Sequence, residues 1–106
     1  MRSFGGPPDL SAIKASYMIS LKADLSTLEG LQSEVDFGFA EPRTYEELRR
    51  LAHVQAGNAA TFGFSALGDA ARAVDIQLSE AHGPSQTLPP LIATWRSELQ
   101  TACQSQ

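Results

Sequence analysis

The residues able to do chemistry gather between Thr44 and Phe64, in the run TYEELRRLAHVQAGNAATFGF. On a helix wheel of ~100° per residue, Tyr45, Leu48, Ala52, Ala59 and Phe62 form one apolar side, and His53 falls well over 90° from its centre. The imidazole is therefore expected in water. Its neighbours three and four positions away are Arg49 and Arg50 on one side and Ala56 and Gly57 on the other. An accessible imidazole near neutral pH offers a ring nitrogen with a free lone pair, which is a nucleophile. Two arginines beside it suit an anion such as a phosphoryl group. Glycine inside a helix costs about 0.5 to 1 kcal/mol against alanine, so Gly57 beside the imidazole reads as clearance for a closely approaching partner.

Four helical segments must position these groups. Gly5, Gly6, Pro7 and Pro8 make residues 1–8 a flexible segment ahead of a single domain over 9–106, with Asp9 placed to cap a first helix. Leu10, Ile13, Tyr17, Leu21, Leu25, Leu28, Leu31 and Val35 recur at helical spacing and make that helix the longest. Asp36–Arg43 carries Gly38 and Pro42 and reads as a folded loop whose two phenylalanines tuck against the helices. Thr44-Tyr45-Glu46-Glu47 reads as a capping box that opens the second helix, and Gly63 is placed to end it in the left-handed conformation. Ser65 reads as the cap of a third helix with Leu67, Ala70, Ala71, Val74, Leu78 and Ala81 inside and Arg72, Asp75, Gln77 and Glu80 mostly elsewhere. His82 then meets the helix dipole, and Gly83-Pro84 stops the helix. Thr87 is placed to cap a fourth, with Pro89 and Pro90 in its first turn and a stripe of Leu91, Ile92, Trp95, Leu99 and Ala102; the last six residues are expected to fray. No stretch alternates as a strand does, so the expected fold is all-α, an antiparallel up-and-down four-helix bundle.

The whole-chain numbers agree with one small soluble domain: 106 residues, 42% hydrophobic and 19% charged. A net charge of −4 argues against nucleic acid as a partner. The single cysteine, Cys103, has no internal disulfide partner and favours the cytoplasm, and no apolar run approaches the roughly 18 residues of a membrane span. His53 and His82 are the only histidines, with no metal-ligand spacing around them. Gly63 to Gly68 is followed by Asp69-Ala70 instead of the lysine and hydroxyl of a phosphate-binding loop, so no ATP-binding or autonomous kinase activity is read. Residues 63–67, GFSAL, lack the second glycine of a hydrolase elbow.

Leu51-Ala52-His53-Val54-Gln55-Ala56-Gly57, then Phe62-Gly63-Phe64, Leu67 and Ala70-Ala71, resemble the signature of histidine-containing phosphotransfer (Hpt) domains. An exposed histidine is followed by glycine at the fourth position, an aromatic and a glycine at the ninth and tenth, and leucine at the fourteenth. The resemblance implies a phosphorelay intermediate: His53 as phospho-acceptor, taking the group from the receiver domain of a hybrid histidine kinase and passing it to a response-regulator receiver. It implies no cofactor of the chain's own, with Mg²⁺ carried by the receiver; an exposed relay face and a closed four-helix core make a monomer the expectation. Ala60 and residues of the first helix would join Arg49, Arg50, Ala56 and Gly57 in the docking face. Many family members carry lysine three residues after the histidine, where this chain has Ala56. Arg49 or Arg50, or groups on the partner, would then supply the positive charge. The rival reading is a non-catalytic helical module that binds a receiver or kinase without accepting phosphate. The dimerising histidine module of a sensor kinase is a third, and it would need an adjoining ATP-binding domain.

Overall fold

In the computed structural model, which describes residues 10–80 and 85–105, the chain forms four α-helices. They are α1 (Leu10–Asp36), α2 (Pro42–Asn58), α3 (Ser65–Glu80) and α4 (Leu88–Gln104), and α2 tightens into a 3-10 turn over Ala59–Phe62. Among the described residues there is no strand, and no helix is long and apolar enough to cross a membrane. Asp9, Ala81, His82, the Gly83-Pro84 stop and residues 1–8 lie outside the described residues.

The helices close in a ring: α1 packs on α2 and α4, and α3 on the same two. The periodic apolar positions meet in one core that includes Leu21, Leu28, Leu48, Leu67, Val74, Ile92, Trp95 and Leu99, all essentially inaccessible to water. Leu51, Ala52, Ala59, Ala71, Leu78 and Ala102 are buried with them, and Tyr45, Ala70 and Leu91 are half-buried against the edge. On α1 the stripe differs at its start. Ile13 is 40% exposed while Met18 is buried, because residues 11–16 run along the overhanging end of a helix of 27 residues against 17 in α2 and α4.

The helix ends correct several expectations. α2 begins two residues before Thr44, at Pro42, whose missing amide costs nothing in a first turn. Thr44 instead sits in that turn, fully buried. Its hydroxyl accepts the Glu41 amide at 3.0 Å and donates to Glu34 Oε1 at 2.5 Å, tying α2 to the end of α1. The phenylalanines of the first connection do not tuck inward: Phe37 and Phe39 are 73% and 75% exposed. The connection is held by its own backbone, with the Phe37 and Phe39 amides donating to Ser33 and Glu34 carbonyls around Gly38 at φ +78°, so the rings are not needed to close it. Gly63 does end the second helical segment at φ +90°, a conformation other residues adopt at a cost. Ser65 is the first residue of α3 and not its cap; the first helical bond runs from the Gly68 amide to the Phe64 carbonyl. Thr87 precedes α4 as expected, yet its hydroxyl pairs with that of Ser85 at 2.8 Å and leaves the helix amides alone. The tail does not fray at Thr101, since α4 continues to Gln104 with Ala102 buried beneath it.

One buried polar residue crosses the core. Gln55 is 2% exposed; its amide donates to Asp24 of α1 at 3.0 Å, and its carbonyl accepts the indole N–H of Trp95 of α4 at 2.7 Å. A buried amide is tolerable only when both ends are paired. Here the pairing also fixes how α2 sits between α1 and α4.

Candidate functional site

His53 lies in the second half of α2 with its side chain 71% exposed. Its neighbours Leu51, Ala52 and Gln55 all turn inward, so the helical rotation of ~100° per residue leaves the imidazole nowhere to go but outward. The imidazole is nonetheless anchored. Nδ1 stands 2.9 Å from Oδ2 of Asp75 on α3. A carboxylate only accepts hydrogen bonds, so the proton of a neutral ring belongs on Nδ1 and the lone pair on Nε2. Among the described residues Nε2 has no hydrogen-bond partner. The ring is thus held at one nitrogen and available at the other.

Asp75 is itself restrained. Its side chain is 16% exposed, and Oδ1 faces Nη1 of Arg49 at 3.7 Å and accepts from the Ser79 hydroxyl at 3.4 Å. A shallow hollow is lined by His53, Ala56, Gly57, Arg72 and Asp75. Arg72 of α3 reaches across it to donate from Nη2 to the Ala56 carbonyl at 3.4 Å. The pairs 53 with 75 and 56 with 72 step in opposite directions, so α2 and α3 run antiparallel beneath the site.

The residues expected from the sequence fall as follows. Arg49 and Gly57 are exposed on the same side of α2 as His53, Ala60 is exposed in the 3-10 turn that follows, and Ala56 is half-buried. Nothing lies within 4 Å of where a Cβ on Gly57 would stand, so the space beside the imidazole opens to solvent. Arg50 is exposed but turns to Glu47, 3.2 Å away on its own helix.

Asp75 and Arg72 are the two members that a reading of α2 alone missed. Their signal was their spacing on α3. Both sit on its polar face one turn apart, nine and twelve residues past Gly63, while Ala56 and His53 sit seven and ten before it. Folding two helices back on one another at that glycine brings the pairs opposite each other.

Comparison with known proteins tests what such a face is for. No curated protein and no solved structure gave a match. The model of the Hpt domain family matches residues 13–105, which takes in α2, α3 and α4, all but the first three residues of α1, and every residue of the hollow. The chain belongs to the Hpt domain family, and its class of function is histidine phosphotransfer in phosphorelay signalling.

Proposed function

We propose that His53 is the phospho-acceptor, taking the group through Nε2 from an aspartyl phosphate on the receiver domain of a hybrid histidine kinase and passing it to a response-regulator aspartate. The observation that carries this is the Nδ1–Asp75 contact of 2.9 Å on an otherwise exposed ring. It favours the tautomer that attacks through the outer nitrogen, with no proton to be removed first.

In the forward step the Nε2 lone pair forms an N–P bond while the P–O bond of the aspartyl phosphate breaks, and the carboxylate leaves with the electron pair. The Nδ1 proton stays where it is, so the ring becomes a phospho-imidazolium, and the carboxylate of Asp75 faces the new positive charge. Reversal onto a second receiver uses the same groups in the opposite order. The in-line geometry needs the reacting atoms roughly 3 to 3.5 Å apart, and Gly57 leaves that approach clear. The receiver brings the acidic residues and the Mg²⁺ that shield the transferring group, so that chemistry sits on the partner. Short connections and the ring of neighbouring helices support an antiparallel up-and-down bundle, acting as a monomer in the cytoplasm.

The test is incubation with a phosphorylated receiver or hybrid kinase. An acid-labile, alkali-stable phosphate is expected on the intact chain and not on His53→Gln. Label on His53→Gln refutes the site. Binding of receiver with no label on the intact chain leaves the non-catalytic module as the function.

A further inference from the structure

We infer that Arg72, from the neighbouring helix, is the cation that binds the phosphoryl group on His53. This rests on the proposed phospho-acceptor role of His53. A phosphoryl group brings a charge of about −1.5 to −2 at neutral pH to a face whose cations are largely engaged. Arg49 is paired with Asp75 at 3.7 Å and Arg50 with Glu47 at 3.2 Å. Either would have to give up a carboxylate to serve a phosphate. Arg72 has no carboxylate within 4 Å among the described residues, and its one hydrogen bond is the 3.4 Å contact to the Ala56 carbonyl.

Position singles out the same residue. Arg72 lies one helical turn before Asp75 on α3, in the same hollow as His53. Asp75 holds the Nδ1 side of the imidazole, and Arg72 meets the Ala56 carbonyl in the hollow that Gly57 also lines. Ala56 carries only a methyl group beside the carbonyl that the guanidinium meets. A longer side chain there would compete for the space through which Arg72 reaches its carbonyl. The planar guanidinium presents several N–H donors in a fixed fork. It can keep the carbonyl on one and turn others to phosphoryl oxygens. The short side chain on α2 and the arginine on α3 that no described carboxylate pairs thus form one device: the positive charge of the site comes from across the helix pair.

Phosphoramidate is the probe, because it needs no receiver. Its P–N bond breaks, ammonia leaves with the electron pair, and an N–P bond forms at Nε2. Arg72→Gln is expected to slow labelling of His53 by roughly twofold to fivefold, the range of an exposed charge contact, and Arg72→Lys to restore most of the rate. Arg43→Gln changes the net charge equally on an exposed pair with Glu41 and is expected to leave the rate alone. In ¹⁵N NMR spectra of the intact protein the side-chain N–H signals of Arg72 should shift on phosphorylation. If the label forms on His53 at equal rates in Arg72→Gln and wild type, and the Arg72 signals stay in place, the inference is wrong while His53 stands as acceptor. If wild type takes no label from phosphoramidate or from a phosphorylated receiver, the acceptor role itself fails.

Discussion

Replacing Asp75 by asparagine isolates the charge in the histidine's anchor. Asparagine keeps an oxygen able to accept the Nδ1 proton and has almost the same shape, so what is removed is the attraction between carboxylate and phospho-imidazolium. At the 2.9 Å separation of Nδ1 and Oδ2, opposite unit charges attract by about 1.4 kcal/mol at the dielectric constant of water and about 2.9 kcal/mol at half that value. The lower figure is the better guide. His53 is largely exposed, and Arg49 at 3.7 Å already draws on the same carboxylate. The equilibrium constant for moving a phosphoryl group from a receiver aspartate to His53 should therefore fall about tenfold in Asp75→Asn. The assay is the ratio of phosphohistidine to aspartyl phosphate at equilibrium. It is run on both proteins in the same buffer at neutral pH. Raising salt should narrow the gap between wild type and variant. An Asp75→Asn protein that is folded and reaches the wild-type ratio would refute the claim that the carboxylate stabilises the charged ring.

Other perturbations read separate parts of the structure. Gly57→Ala adds a methyl group where nothing lies within 4 Å, so thermal unfolding should show a gain of up to about 1 kcal/mol while transfer from a receiver slows; unchanged transfer would remove the clearance role of Gly57. Gln55→Leu leaves the buried Trp95 indole N–H without its 2.7 Å acceptor and should cost about 1 to 3 kcal/mol in urea denaturation. The Tyr17 hydroxyl is buried with no hydrogen-bond partner among the described residues, and its pKa is pushed above the ordinary 10.0 by burial first and then by Asp24 and Cys103. Because the folded pKa is the higher one, the stability tied to the neutral phenol is complete below about pH 10 and is lost as pH rises through the folded value. Tyr17→Phe keeps the ring stacked on Phe62 at 4.0 Å and should flatten that alkaline loss in denaturation measured from pH 9 to 11.

The division between what could and could not be read along the chain has a physical basis. The apolar stripes, the wet side of α2 and the turn at Gly63 depend on neighbours within four residues, where helix geometry is set by the chain alone. Thr44 was legible as a residue seeking a backbone amide, but its exact role depended on Glu34, ten residues earlier, drawing the hydroxyl inward. The role of Gln55 was not legible, since nothing local reveals that Asp24 and Trp95 will meet both ends of its amide. Phe37 and Phe39 looked like core because of their ring type, whereas backbone bonds closed the loop without them. At the site, the exposed histidine was visible on α2, and the two groups from α3 became visible only once the helices were paired.

That pairing also explains why a histidine in water can serve as a defined site. A free side chain on a helix samples its rotamers, and fixing one costs free energy at each encounter with a partner. Here the cost falls on folding. Gln55, two positions from His53, binds α2 to α1 through Asp24 and to α4 through Trp95. Asp75 then fixes the ring against α3, with its own carboxylate restrained by Arg49 and Ser79. The helix is held from the core side and the imidazole from the flank, and both supports stand on helices and not on loops. A receiver can meet a nitrogen already in place, and losing either support should damage transfer differently. Weakening the Gln55 network should reduce stability first, with the surviving folded molecules still competent. Removing the Asp75 charge should leave the fold intact and move the phosphoryl equilibrium.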